Sequence, residues 1–271
     1  MKKILCPTDF SDEAANAMAY AGKLAYASGA ELILYNVRSL WERVAQEVIF
    51  GAPLTYKKIS EELEEQSREI AEIFKISCYA EVEPSSTSLA GSIEKKARDY
   101  DLIVMGTNGF DDLYQFFTGS NTYRVIQKTK IPVLVVPVNA GYSEIKRMVY
   151  SFNYLKERSL PMDQLIPWLE ILKSELTVLQ VMEEAHSKVV DDELKELQEI
   201  IALSKSNVKF SFDTIRSSDI AQSINTYIQR NEIDVLALCT LHRNFIENFF
   251  HKSVIRNISA VGSYPIFIFH H

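Results

Sequence analysis

Short apolar runs alternate along this chain with longer stretches in which apolar residues recur every third or fourth position. Residues 3–6 form an apolar run that ends at Pro7. Ser11, Asp12 and Glu13 follow as a helix cap and first-turn acids, the charges that suit a positive helix N-terminus. Ala14, Met18, Ala21 and Ala25 then recur at helical spacing, and Gly29 closes that helix. Residues 31–37 read as a buried strand, and residues 38–56 as irregular, broken by Gly51 and Pro53. A charged helix carries Ile59, Leu63, Ile70 and Phe74 on one face; its run from Glu61 to Glu72 reads as a solvated surface. Residues 76–82 predict a third strand, and Leu89, Ile93 and Ala97 a third helix. Residues 101–105 predict a fourth strand, 120–129 a short helix and 131–138 a fifth strand. Strands alternating with helices imply parallel β-α-β units and an open doubly wound sheet.

The pattern then starts again. Residues 144–150 match the first strand, and residues 175–181 match 31–37 at a constant offset of 144. Residues 234–270 lie over 101–137 without a gap at an offset of 133. Phe249 and Phe250 then fall on Phe116 and Phe117, Ser253 on Ser120, and Pro265 on Pro132. Such a match predicts a tandem duplication with its linker near Asn139, Ala140 and Gly141. The expected domains are residues 1–140 and 141–271, each an open five-stranded parallel sheet flanked by helices. The two are expected to pack as a pseudo-dimer through their last strands, which would bury exposed strand edges. The paired phenylalanines, with Tyr114, are expected to pack alike in both halves.

Chemistry concentrates after the fourth strand. The chain has nine glycines, and Gly106, Gly109 and Gly119 stand within one loop, with Ser120 behind them. Open α/β sheets bind ligands beyond the carboxyl ends of their strands. Three loops converge there: one with Pro7, Thr8 and Asp9, one after Val37, and the glycine loop. Glycine lets backbone amides approach a phosphate, and a helix N-terminus opened by Gly119 and Ser120 favours an anion. No GxxxxGK[ST] occurs, so this is not the P-loop. The plainer alternatives stay open. The glycines would make turns only, Asp9 would cap a loop, Val37 and Met105 would be core, and Asn121 and Thr122 would be first-turn polarity.

The spacing G-x2-G-x9-G-[ST], together with "PTDFS" after the first strand, resembles the ATP-binding branch of the universal stress proteins. Two such units in tandem resemble the UspE arrangement. The resemblance implies two Rossmann-like domains of the adenine nucleotide alpha hydrolase type, and ATP, with magnesium, as ligand. It implies that Pro7, Thr8 and Asp9 contact the adenosine and that the Val37 backbone meets the adenine. Met105, Gly106, Asn108 and Gly109 would line the ribose and phosphates. Gly119, Ser120, Asn121 and Thr122 would hold the phosphates. The second half departs from this pattern: Cys239, His242 and Lys252 replace the three glycines, and Asn153 replaces Asp9. It reads as degenerate. Cys239, His242 and His251 as a metal site, or Arg243 and Lys252 as an anion site, are the alternatives there.

Composition narrows the classes. A net charge of −7 argues against a nucleic-acid surface, and no apolar stretch suits a membrane span. Residues 1–10 lack the apolar core of a signal peptide. Three cysteines, an odd count, point to a reducing cytoplasm. His270 and His271 receive no role. The expected function is nucleotide-dependent regulation in the stress response through an unidentified protein partner, with further homodimerisation allowed. Apart from Asp9 no acid can be placed in the pocket, and Arg124 is the nearest cation, so efficient catalysis is not expected. A slow ATPase and a nucleotide-independent interaction or lipid-binding protein are the alternatives; AMP or a cyclic dinucleotide could replace ATP as ligand.

Overall fold

The computed structural model describes residues 2–39, 54–107, 121–152, 160–182, 206–239 and 264–270. The first half runs β1 (Lys3–Pro7), α1 (Asp12–Ser28), β2 (Glu31–Ser39), α2 (Leu54–Phe74), β3 (Cys78–Ser85), α3 (Leu89–Ala97), β4 (Leu102–Thr107), α4 (Asn121–Lys128) and β5 (Val133–Pro137). The second continues with β6 (Arg147–Phe152), α5 (Met162–Leu172), β7 (Glu175–Met182), β8 (Phe210–Arg216), α6 (Ile220–Arg230), β9 (Val235–Cys239) and β10 (Ile266–Phe269).

The strands lie in the order β3-β2-β1-β4-β5-β10-β9-β6-β7-β8. Each half is parallel within itself, with order 3-2-1-4-5 and its repeat. The halves meet where β5 and β10 pair antiparallel, Leu134 opposite Phe267. The two five-stranded parallel sheets thus join edge to edge, through the last strand of each, into one ten-stranded sheet. The reason is chemical: both strands are wholly apolar and buried, so an unpaired edge there would leave backbone groups unsatisfied.

Cap chemistry sets the helix ends. Ser11 accepts from the Ala14 amide, and Gly29, at φ 64°, closes α1 on the carbonyls of Ala25 and Tyr26. One core lies on each face of the sheet and crosses the junction. The first joins Tyr20, Leu24 and Leu63 to Trp168, Phe267 and Phe269. The second joins Ile93, Tyr123 and Val125 to Ile224, Ile266 and Ile268.

Several strand boundaries differ from the periodicity, those of β3 and β6 by the most. The third strand starts at Cys78 rather than residue 76, because Lys75 turns left-handed (φ 57°) and the Ile76 amide still bonds Ala71. It runs on through Pro84, which an edge strand tolerates. β6 starts at Arg147 rather than residue 144, because the carboxylate of Asp234 takes the amides of Lys146 and Arg147. The phenylalanine pairs 116–117 and 249–250 lie outside the described residues, and so does Tyr114.

Candidate functional site

The loop after β1 is determined by its own polar groups. The Thr8 amide extends the pairing by donating to Tyr35 O at 2.9 Å. Thr8 is buried, and its hydroxyl oxygen accepts from the Phe10 amide at 3.1 Å. That bond holds Phe10 at φ 68°, a region a bulky residue rarely enters. Asp9 is exposed, and its Oδ1 accepts from the amide and hydroxyl of Ser11 at 3.1 and 2.6 Å. Asp9 thus closes a local turn onto Ser11, which in turn caps α1. Pro7 is buried at the strand end.

Asn36 braces the loop from β2. It is buried, and its Nδ2 donates to Thr8 O at 2.7 Å. A carboxamide among apolar neighbours is the signal sequence reasoning passed over. Its Oδ1 is buried without a partner, and so is Oε1 of Gln180, which stands at the same place in β7. Val37, next along β2, is partly buried against the second core.

Gly106 closes the site on the β4 side. A β-carbon there would lie 2.2 Å from Glu13 O and 2.5 Å from Glu13 C. The missing side chain thus admits the first turn of α1, which is a packing reason for this glycine. Met105 beside it is core, 6% exposed. Thr122, in the first turn of α4, is buried and donates its hydroxyl to Gly106 O at 3.2 Å. The hydroxyl thus ties α4 to β4, and Asn121 beside it is exposed. Pro7, Thr8, Asp9, Val37, Met105, Gly106, Asn121 and Thr122 are therefore carried by the β1, β2 and β4 ends and the start of α4. Asn108, Gly109, Gly119 and Ser120 lie outside the described residues.

No described thiol is a ready nucleophile. Burial pushes Cys6 far up and Cys78 to about 12. In the second half Cys239 occupies the place of Gly106 and is buried. Asn153, His242, Arg243, His251, Lys252 and Ser253 lie outside the described residues. Among the described residues no three His, Cys, Asp or Glu side chains are grouped to hold a metal. No helix there is long and apolar enough to cross a membrane.

A family model described as the universal stress protein family matches residues 1–137. A universal stress protein of Methanocaldococcus jannaschii, MJ0531, is 34% identical over 145 residues, covering 50% of this chain and 81% of its own. Across the whole chain, a universal stress protein structure from Archaeoglobus fulgidus superposes with a TM-score of 0.66 at 16% identity, covering 99% of this chain and 96% of its own. A universal stress protein solved in complex with cAMP covers 50% of this chain and 96% of its own, at 20% identity and a TM-score of 0.35. The chain belongs to the universal stress protein family, on the match to its first half.

Proposed function

We propose that residues 1–140 form a domain that binds ATP, with its magnesium, at the carboxyl ends of β1, β2 and β4. Residues 141–271 form a degenerate second domain. Nucleotide occupancy would set the conformation or the choice of protein partner, rather than drive rapid turnover. The observation that carries this reading is the Thr122–Gly106 bond. It seats the first turn of α4 against the end of β4, where free helix amides would face a phosphate chain. The Thr8–Asp9 loop, tied by hydrogen bonds to Phe10 and Ser11, would take the adenosine end, with Val37 beside it. Met105, Gly106, Asn108 and Gly109 would line the ribose and phosphates, and Gly119, Ser120 and Asn121 would hold the phosphates. The antiparallel pairing of β5 and β10 supports a pseudo-dimer of the two domains, and an odd count of three cysteines suits a reducing compartment.

A nucleotide-independent interaction protein is the second reading. Gly106 favours it, because the approach of Glu13 accounts for that glycine without a ligand. Calorimetry of the full chain decides between them. The expected result is one ATP per chain, with cAMP and AMP as competitors, and loss of binding in Gly109→Val while the fold persists. Two equivalent nucleotides per chain, or unchanged affinity in Gly109→Val, would sink the assignment. Turnover on the order of 1–10³ s⁻¹ that Asp9→Ala abolishes would establish an enzyme instead.

A further inference from the structure

His270 follows directly on β10, yet its imidazole enters the other half of the molecule. It is buried, and its Nε2 lies 2.9 Å from Ile126 O, across 144 residues of sequence. Ile126 is in the last turn of α4, where carbonyls have no partner within their own helix. The Thr129 amide takes Val125 O at 2.9 Å; the Ile126 carbonyl falls to the imidazole. Only an N–H can meet a carbonyl oxygen, so Nε2 carries the proton in this contact.

The backbone of His270 is itself held by α5. Gln164 Nε2 donates to His270 O at 2.7 Å, and its Oε1 accepts from the His270 amide at 3.3 Å. A chain of bonds therefore runs from α5 through His270 to the C-terminus of α4. At the other end of α4, Thr122 ties the first turn to Gly106. The contact has no reciprocal. The residue of the first half that corresponds to His270 is Pro137, which has no donor to offer; its carbonyl is held by Asn16 Nδ2 of its own half at 2.8 Å.

We propose that His270 is a positioning residue, through which the second half holds α4 in register over the site of the first. This rests on the nucleotide reading only for its effect on binding; the effect on α4 stands by itself. The second half would then have a defined task in spite of its altered loops. It supplies the cap that keeps the proposed anion-facing helix from fraying.

The test is hydrogen exchange on the full chain, with and without ATP, in His270→Leu and His270→Gln. Leucine keeps apolar bulk and deletes the donor; glutamine restores an N–H at similar reach. Loss of one bond to a buried carbonyl should speed exchange of the residues 123–129 amides roughly five- to tenfold in His270→Leu. Peptides from β7 and β8 should be unchanged, and glutamine should restore protection. ATP affinity should fall several-fold in His270→Leu and recover in His270→Gln. Should the leucine variant fail to fold, Gln164→Ala frees the same imidazole and should act in the same direction. Unchanged α4 exchange, or a glutamine variant as unprotected as leucine, overturns the proposal. Faster exchange with unchanged ATP affinity overturns its link to the site. If the wild-type chain binds no nucleotide at all, the functional reading falls, and the exchange result still decides the role of His270.

Discussion

At the amino end of the sheet the two halves are built alike. Asp101 accepts from the Lys3 amide at 2.8 Å, and Asp234 accepts from the Arg147 amide at 2.8 Å. The Ile103 amide bonds Pro132 O, and the Leu236 amide bonds Pro265 O, the same pair moved by the repeat offset. The faces have drifted further. Lys96 pairs with Glu81 at 2.6 Å, where the second half sets Tyr227 against Asp213. At the carboxyl end they part. α1 starts at Asp12, but α5 starts at Met162, the counterpart of Met18, with residues 160 and 161 outside the helix. Gly106, under the first turn of α1, becomes a buried Cys239. Parallel strands need the same pairing wherever they occur, so the scaffold keeps its polar fastenings. The loops beyond the carboxyl ends carry no such obligation, and there substitution has run free.

The largest test of this contrast is at Gly106. Gly106→Ala places a methyl group against the Glu13 backbone, which cannot rotate away. We expect a loss of about 3 kcal/mol in denaturant unfolding, with α1 displaced at its start. Cys239→Gly, at the same place in the second half, should lose only about 1 kcal/mol, for a strand glycine and a small void. Equal losses would break the comparison.

A smaller effect concerns the ends of the first helices. Gly29 and Lys173 are counterparts, and both are left-handed, at φ 64° and 54°. Nothing stands within 4 Å of the point where a β-carbon on Gly29 would lie. The difference between them is thus one of backbone conformation. Lys173→Gly should stabilise the protein by about 1 kcal/mol, and Gly29→Ala should cost a similar amount. A destabilising Lys173→Gly would mean that the lysine side chain contributes something its cap geometry does not require.

The smallest effect is on pH dependence, and it belongs to the junction between halves. Burial pushes the His270 imidazole below its ordinary value, against the pull of the Ile126 and Ile131 carbonyls, and no charged side chain contributes. The unfolded chain therefore binds this proton first. The contribution of His270 is complete above the ordinary imidazole value near 6.5 and is lost as pH falls through the lower folded value. Unfolding free energies measured between roughly pH 7.5 and 5 should show that slope. It should be shallower in His270→Leu; an identical slope would place the titration elsewhere.

Much of this was legible in the residues. Apolar period distinguished strands from helices, Ser11 and Gly29 marked the ends of α1, and constant offsets pointed to a second half with the strand order of the first. β5 and β10 pair through the apolar runs that the repeat places last in each half. The lone carboxamides of β2 and β7 were visible too, as polar residues in otherwise apolar runs, but their orphaned oxygens were not. The loop that carries most of the glycine motif was legible as a pattern of spacing, and its chemistry remains with the nucleotide experiments.

The sequence by itself determined most elements of the first half, their order and the caps of α1. These depend on neighbours within a turn or a strand pair, and such interactions leave a periodic trace. The tertiary structure alone decided what Gly106, Thr122 and His270 touch. Gly106 could make room for a phosphate or for a helix, and only the folded chain shows that the first turn of α1 lies against it. The Thr122 hydroxyl reaches the carbonyl of Gly106, a contact between the start of α4 and the end of β4. His270 carried no pattern at all, because its partner Ile126 lies 144 residues away. Contacts of that range depend on how whole layers pack, and no local period records them.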